Sequence, residues 1–126
     1  MKNLKERCEE KNCDLWEIAL EDEIENTGKS EEEIWDRLQR TLDVMKKSAQ
    51  AALETEVISV TGMTGGNAKS MHDYFLKGES VLGETPALAM AMALSTSEIN
   101  AAMGIIAAAP TAGSSGPSTV LILYLR

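Results

Sequence analysis

One histidine, two cysteines and a deficit of positive charge remove several function classes from this 126-residue chain at the outset. The net charge of −8 leaves no basic face for non-specific nucleic-acid binding. Cys8 and Cys13 have the C-x4-C spacing of some iron–sulfur and zinc sites. Two thiols alone do not complete a four-ligand centre, so both read as ordinary cysteines. The single histidine, His72, has no partner pattern around it and reads as a surface residue rather than a catalytic base. No long apolar run is present either. The most apolar stretch, from Pro86, is interrupted by Ser95, Thr96, Ser97, Glu98 and Asn100, short of the ~18 residues that a membrane span needs. Residues 1–10 are charged and lack the apolar centre of a signal peptide, so the expected compartment is the cytoplasm.

What the chain does contain is unevenly distributed. Residues 1–56 hold 16 acids and 9 bases, whereas residues 57–126 hold 4 and 3. Eight of the nine glycines and all three prolines fall in the second part. A charged, helix-forming half therefore precedes a half rich in small residues. One domain is expected, built as an all-α fold of about six helices. The spacing predicts a short helix over 3–11, a turn at Asn12 to Asp14, and a helix from an Asp14–Glu17 capping box to Thr27, stopped by Gly28. A second capping box, Ser30 with Glu33, opens a helix whose stripe of Ile34, Leu38, Leu42, Met45, Ala49 and Leu53 runs to about Glu54. These three helices are expected to form an N-terminal bundle.

Val57 to Val60 is a short β-prone run. It leads into Thr61-Gly62-Met63-Thr64-Gly65-Gly66-Asn67, a loop of glycines and hydroxyls that lacks both the Gly-Lys-Ser/Thr of a phosphate loop and the dinucleotide glycine spacing. A helix from Asn67 to Lys77 and a turn over 78–83 follow. Pro86 then opens what reads as the longest helix, ending near Met103. It is apolar nearly all round and is expected to be the central buried helix behind the glycine-rich loops. Glu98 on such a helix needs a hydrogen-bonding partner or a ligand, because an unpaired buried carboxylate is costly. It is expected to be largely buried and hydrogen-bonded.

The second loop, Thr111-Ala112-Gly113-Ser114-Ser115-Gly116, has no side chain larger than threonine. A ligand can approach its backbone, and Gly113 and Gly116 can take positive φ where a turn requires it. Pro117 suits a first helical position, with Ser115 or Gly116 as the N-cap, and free N–H groups at such a start favour a substrate carboxylate. Two loops of this kind in a small domain suggest a shared pocket.

Residues 95–116 closely resemble the α chain of the iron–sulfur-dependent bacterial L-serine dehydratases. The shared pattern places Glu98, Asn100, Ala101, Met103, Gly104, Pro110, Thr111, Ala112, Gly113, Ser114 and Gly116. The Thr61–Gly66 loop is similar to the family's T-G-x-T-G-G, and the Trp16, Thr27–Ser30 and Glu33–Trp35 stretches are similar too. The resemblance covers residues 1–116, and the tail from Pro117 diverges. It implies β-elimination of L-serine to pyruvate and ammonia without pyridoxal phosphate, with a 4Fe-4S cluster in the complete enzyme and a β chain or β domain as partner. It also implies substrate-binding roles for Thr61, Gly62, Thr64, Gly65, Gly66, Glu98, Asn100, Thr111, Ala112, Gly113, Ser114 and Ser115, with no catalytic residue assigned. The family's three cluster cysteines lie downstream, so no metal ligand is expected in this chain, which reads as an N-terminal piece of the α chain or a truncated product. The alternative is a catalytically inactive helical module that acts only through packing against another chain.

Overall fold

A computed structural model describes residues 4–78 and 80–124. Among them are six helices: α1 Leu4–Lys11, α2 Leu15–Thr27, α3 Glu31–Ala51, α4 Asn67–Leu76, α5 Glu84–Ala101 and α6 Ser115–Tyr124. The fold is all-α. The β-prone run at Val57 makes only an isolated antiparallel bridge, Ile58 to Gly65. The chain divides into two compact units, residues 1–40 and 41–126.

In the first unit, α1 ends because Asn12 turns left-handed at φ +48°. The Cys13 N–H then reaches back to the Cys8 carbonyl at 3.3 Å. That bond from the second residue beyond a helix to its last full turn is a Schellman closure, and asparagine is one of the few residues that tolerates the left-handed position. The α2 cap is the expected one, with the Asp14 N–H donating to the Glu17 carboxylate at 2.8 Å. Gly28 ends α2 at φ +67°. Ser30 and Glu33 close the second capping box, at 3.1 and 3.3 Å. Arg7 grips Asp22 with both guanidinium nitrogens, at 2.8 and 2.5 Å, and Lys11 pairs with Glu21. The Arg7 hydrogen bond holds the Asp22 carboxyl below its ordinary range. Trp16 of α2 meets Trp35 of α3 at 6.1 Å between ring centroids. Among the described residues, Ile18 and Ile34 are the buried apolar ones of this unit.

In the second unit, α5 is central, with α4 and α6 both packed on it. Ala49, Leu53, Ala91 and Met92 form the core, and Met71, Leu88, Val120 and Leu123 close around it. α5 is buried along one side only. Ala87, Ala91, Met92, Ser95, Thr96 and Glu98 are covered, while Met90 is 46 % exposed. The longest helix is α3 at 21 residues rather than α5 at 18. α5 starts two residues before Pro86, since the ring costs nothing in a first turn whose N–H groups have no intrahelical acceptor. It ends in a second Schellman closure. Met103 is left-handed at φ +61°, and Gly104 N–H donates to Ile99 O at 2.8 Å.

The end of α3 has a specific cause. The Ser95 hydroxyl donates to Ser48 O at 2.7 Å and accepts from Ala52 N–H at 3.0 Å. Those two backbone groups would otherwise bond to each other in the helix. Ser95 thus stops α3 at Ala51, three residues before the expected Glu54, and fastens its last turn to α5. Replacing Ser95 by alanine removes a buried hydroxyl that satisfies both groups, and is expected to cost about 1–3 kcal/mol. Urea unfolding of the chain checks this; an unchanged midpoint would mean that α3 closes the bond for itself.

Candidate functional site

The Thr61–Gly66 loop is organised by a residue outside the expected set, Ser59. Its N–H donates to Thr64 O at 2.8 Å, and its carbonyl accepts from Gly62 N–H at 2.8 Å. Its hydroxyl accepts from Thr64 N–H at 3.2 Å and lies 3.3 Å from Thr61 Oγ1. A serine two residues before a Thr-Gly pair is the signal for such a hydroxyl-closed turn. Gly65 is dictated by contact as well as conformation, and Gly66 by conformation, since the side chain of Glu56 beside it can move. At φ +148° and +77° respectively, an added Cβ would fall 2.2 Å from Val57 O and 2.7 Å from Glu56 Oε1. The loop delivers the chain into α4, whose first N–H groups meet Glu98. Oε1 accepts from Asn67 N–H at 2.6 Å and from Ala68 N–H at 3.3 Å. Glu98 is 7 % exposed, and its other oxygen is buried without a protein partner. The carboxylate of α5 therefore caps α4 from across the fold, where the helix dipole and two free donors both favour a negative charge. Asn100, two residues on, is exposed.

The second loop is closed by its own hydroxyls. Ser114 N–H donates to Thr111 Oγ1 at 3.3 Å, and Thr111 N–H donates to Ser114 Oγ at 3.2 Å. This reciprocal pair is the geometry of a capping box, with serine in the glutamate position. Ser115 Oγ donates to Ala112 O at 2.6 Å. The loop is thus a tight first turn, and α6 begins at Ser115 rather than at Pro117. Neither Gly113 nor Gly116 takes positive φ. Gly116 is required for a different reason: an added Cβ would lie 2.8 Å from Ala93 O, so α6 could not approach α5. A Cβ on Gly113 would meet nothing within 4 Å. The N–H groups of Ala112 and Gly113 find no acceptor among the described residues, and both residues are exposed.

The two loops meet α5 at different places, the first at Glu98 and the second at Ala93. These positions are roughly 7.5 Å apart along the helix and about 140° apart around it. No hydrogen bond joins the loops among the described residues. His72, expected at the surface, is half-buried on α4. Its Nδ1 lies 3.0 Å from Leu53 O and its ring stacks on Phe75.

Residues 10–126 match the family model described as the serine dehydratase alpha chain. The chain belongs to this family. The match begins at residue 10 and runs through the tail after Gly116. Among curated relatives, the L-serine dehydratase alpha chain of Peptoniphilus asaccharolyticus is 46 % identical over 109 residues, covering 86 % of this chain and 37 % of that protein. The probable L-serine dehydratase alpha chain of Bacillus subtilis (strain 168) is 40 % identical over 116 residues, covering 92 % and 38 %. The chain spans less than two fifths of the length of these relatives. No solved structure matches. No helix among the described residues is long and apolar enough to cross a membrane.

The iron–sulfur cluster that the family resemblance implies does not fit the residues described here. No group of three or more histidine, cysteine or acidic side chains among them is arranged to hold a metal ion, and Cys8 and Cys13 are free half-buried thiols.

The Glu98 cap can be tested by paired substitutions. Glu98→Ala leaves two donors of α4 without their acceptor and is expected to lower stability by about 1–3 kcal/mol. Glu98→Gln keeps an oxygen at that position and should lose less. A Glu98→Ala chain with an unchanged midpoint in denaturant unfolding would show that Glu98 does not cap α4.

Proposed function

We propose that this chain supplies the carboxylate-binding part of an L-serine ammonia-lyase. The reaction removes the α-proton and the β-hydroxyl of L-serine; the resulting enamine hydrolyses to pyruvate and ammonia. The observation behind this reading is the pair of free, exposed N–H groups of Ala112 and Gly113 in a turn held rigid by Thr111 and Ser114. Two adjacent backbone donors at the start of a helix suit a carboxylate, and the small side chains leave it an approach. Each charge-assisted bond of this kind contributes roughly 1.5–3 kcal/mol.

In this reading Thr111, Ala112, Gly113, Ser114 and Ser115 bind, and Asn100 offers an exposed amide. Thr61, Gly62, Thr64, Gly65 and Gly66 belong to the separate loop that Glu98 positions, and in this reading they bind another part of the substrate. Glu98 is then a positioning residue, since both donors it meets belong to the backbone leaving that loop. The 4Fe-4S cluster of the complete enzyme would be held by residues outside this chain, in the remainder of the α chain or with a β chain or domain as partner, in the cytoplasm. The second reading, a packing module without activity, has one observation in its favour: an apolar groove of about 440 Å³ between α5 and α6, lined by Met90, Ala93, Pro117, Val120, Leu121 and Tyr124 among others.

The two readings separate on Gly113. Because a side chain there faces open space, Gly113→Val is expected to fold normally and to abolish turnover in a complete enzyme carrying this segment. Ser114→Ala, which breaks the reciprocal pair, should lower kcat/KM by about tenfold or more. Thr55→Ala, outside both loops, should change little. A Gly113→Val enzyme that turns over serine at the wild-type rate would remove the loop from the site.

A further inference from the structure

The turn that ends α1 brings the two cysteines of the chain together. A side-chain contact between a residue in the last full turn and the second residue beyond the helix frequently accompanies a Schellman closure. Here those two residues are Cys8 and Cys13, joined by the 3.3 Å bond from Cys13 N to Cys8 O. A direct backbone bond of this length keeps the two Cα atoms within the roughly 4.4–6.8 Å over which a disulfide closes. Both thiols are free and half-buried, and they line one cleft with Glu9, Asn12, Asp14 and Glu17. No other cysteine exists in the chain.

We infer that Cys8 and Cys13 form an oxidative modification site, a dithiol that closes to an intrachain disulfide by exchange with a small-molecule disulfide. The thiolate of one cysteine attacks a sulfur of the reagent, forming a mixed disulfide and expelling one small thiolate. The second cysteine, as its thiolate, attacks the protein sulfur of that mixed disulfide and expels the other. The chain loses two electrons and two protons, and the reagent is reduced to two thiols. The acidic rim of Glu9, Asp14 and Glu17 suits a cationic reagent over an anionic one. Burial, then the neighbouring Cys8 and the carboxylates of Glu17 and Glu21, push the Cys13 thiol above its ordinary value, with Lys11 opposing them. Exchange needs the thiolate and is therefore measured at mildly alkaline pH. The closed bridge adds a covalent link across the turn into α2, at a junction otherwise held by Arg7–Asp22 and Lys11–Glu21.

The test equilibrates the reduced full-length chain with cystamine and cysteamine and counts species by intact mass. The expected product is a chain lighter by two hydrogen atoms, with no alkylatable thiol and with Cys8 and Cys13 in one cross-linked fragment. Its ratio to dithiol should exceed that of the urea-denatured chain by about tenfold or more. Asn12→Gly keeps the left-handed turn and should close as well as the native chain. Asn12→Val, whose branched side chain resists φ +48°, should fall to the denatured level. Singly or doubly cysteamine-capped chains in place of the bridge would overturn the proposal. So would equal closure in the native and denatured chains, or full closure by Asn12→Val.

Discussion

One carboxylate fixes the relation between the central helix of the second unit and the glycine-rich loop beside it. Glu98 would be a liability on an apolar helix without partners, because a buried charge demands compensation. It finds that compensation in the first two N–H groups of α4, at 2.6 and 3.3 Å. Those same groups would be left without acceptors if the carboxylate were absent. Each side satisfies a requirement that the other creates, so α4 can start only where Glu98 stands. Gly65 must then bring the chain past Val57 at a distance no side chain allows, and Gly66 turns it at φ +77°. The cap fixes where the loop ends, and Ser59 closes its turn.

Serine supplies the fastening on the other side of α5. Ser95 enters the last turn of α3 and takes over a bond that the helix would have made internally. Gly116 lets α6 come close enough for its neighbours to reach the core. The central helix is therefore held by three small or polar contacts, Glu98, Ser95 and the Ala93–Gly116 approach, together with its apolar packing through Leu88 and Met92. Its alanines fit this arrangement, since they allow close approach while contributing little side-chain entropy loss.

Much of the helical frame was legible in the sequence because its punctuation is local. Asp14 with Glu17, Ser30 with Glu33, and Gly28 announce caps and stops through residues three or four apart, and the structure places boundaries there. The burial of Glu98 was legible from its apolar surroundings. Less legible were features set by distant partners. Nothing near Leu53 says that Ser95 will end α3 at Ala51. Gly116 looks like a turn residue beside Ser114 and Ser115, yet its role is a helix–helix contact. Ser59 lies in a stretch that reads as a strand, and only the folded turn reveals it as the hub of the loop. The half-buried His72 depends on Leu53 O, nineteen residues away. The family motif located both loops together, but their separate seats on α5 are a property of helical geometry that a motif does not carry.

The account rests most heavily on the Glu98 cap, and backbone amide exchange of the full-length chain reads it directly. The N–H groups of Asn67 and Ala68 belong to a helix start, where amides without acceptors exchange quickly. If the carboxylate holds them, both will be protected to the level of amides in the body of α4, and Glu98→Ala will abolish that protection while leaving the amides near Ala91 slow. Exchange of Asn67 and Ala68 at the rate of exposed loop amides in the native chain would contradict the account.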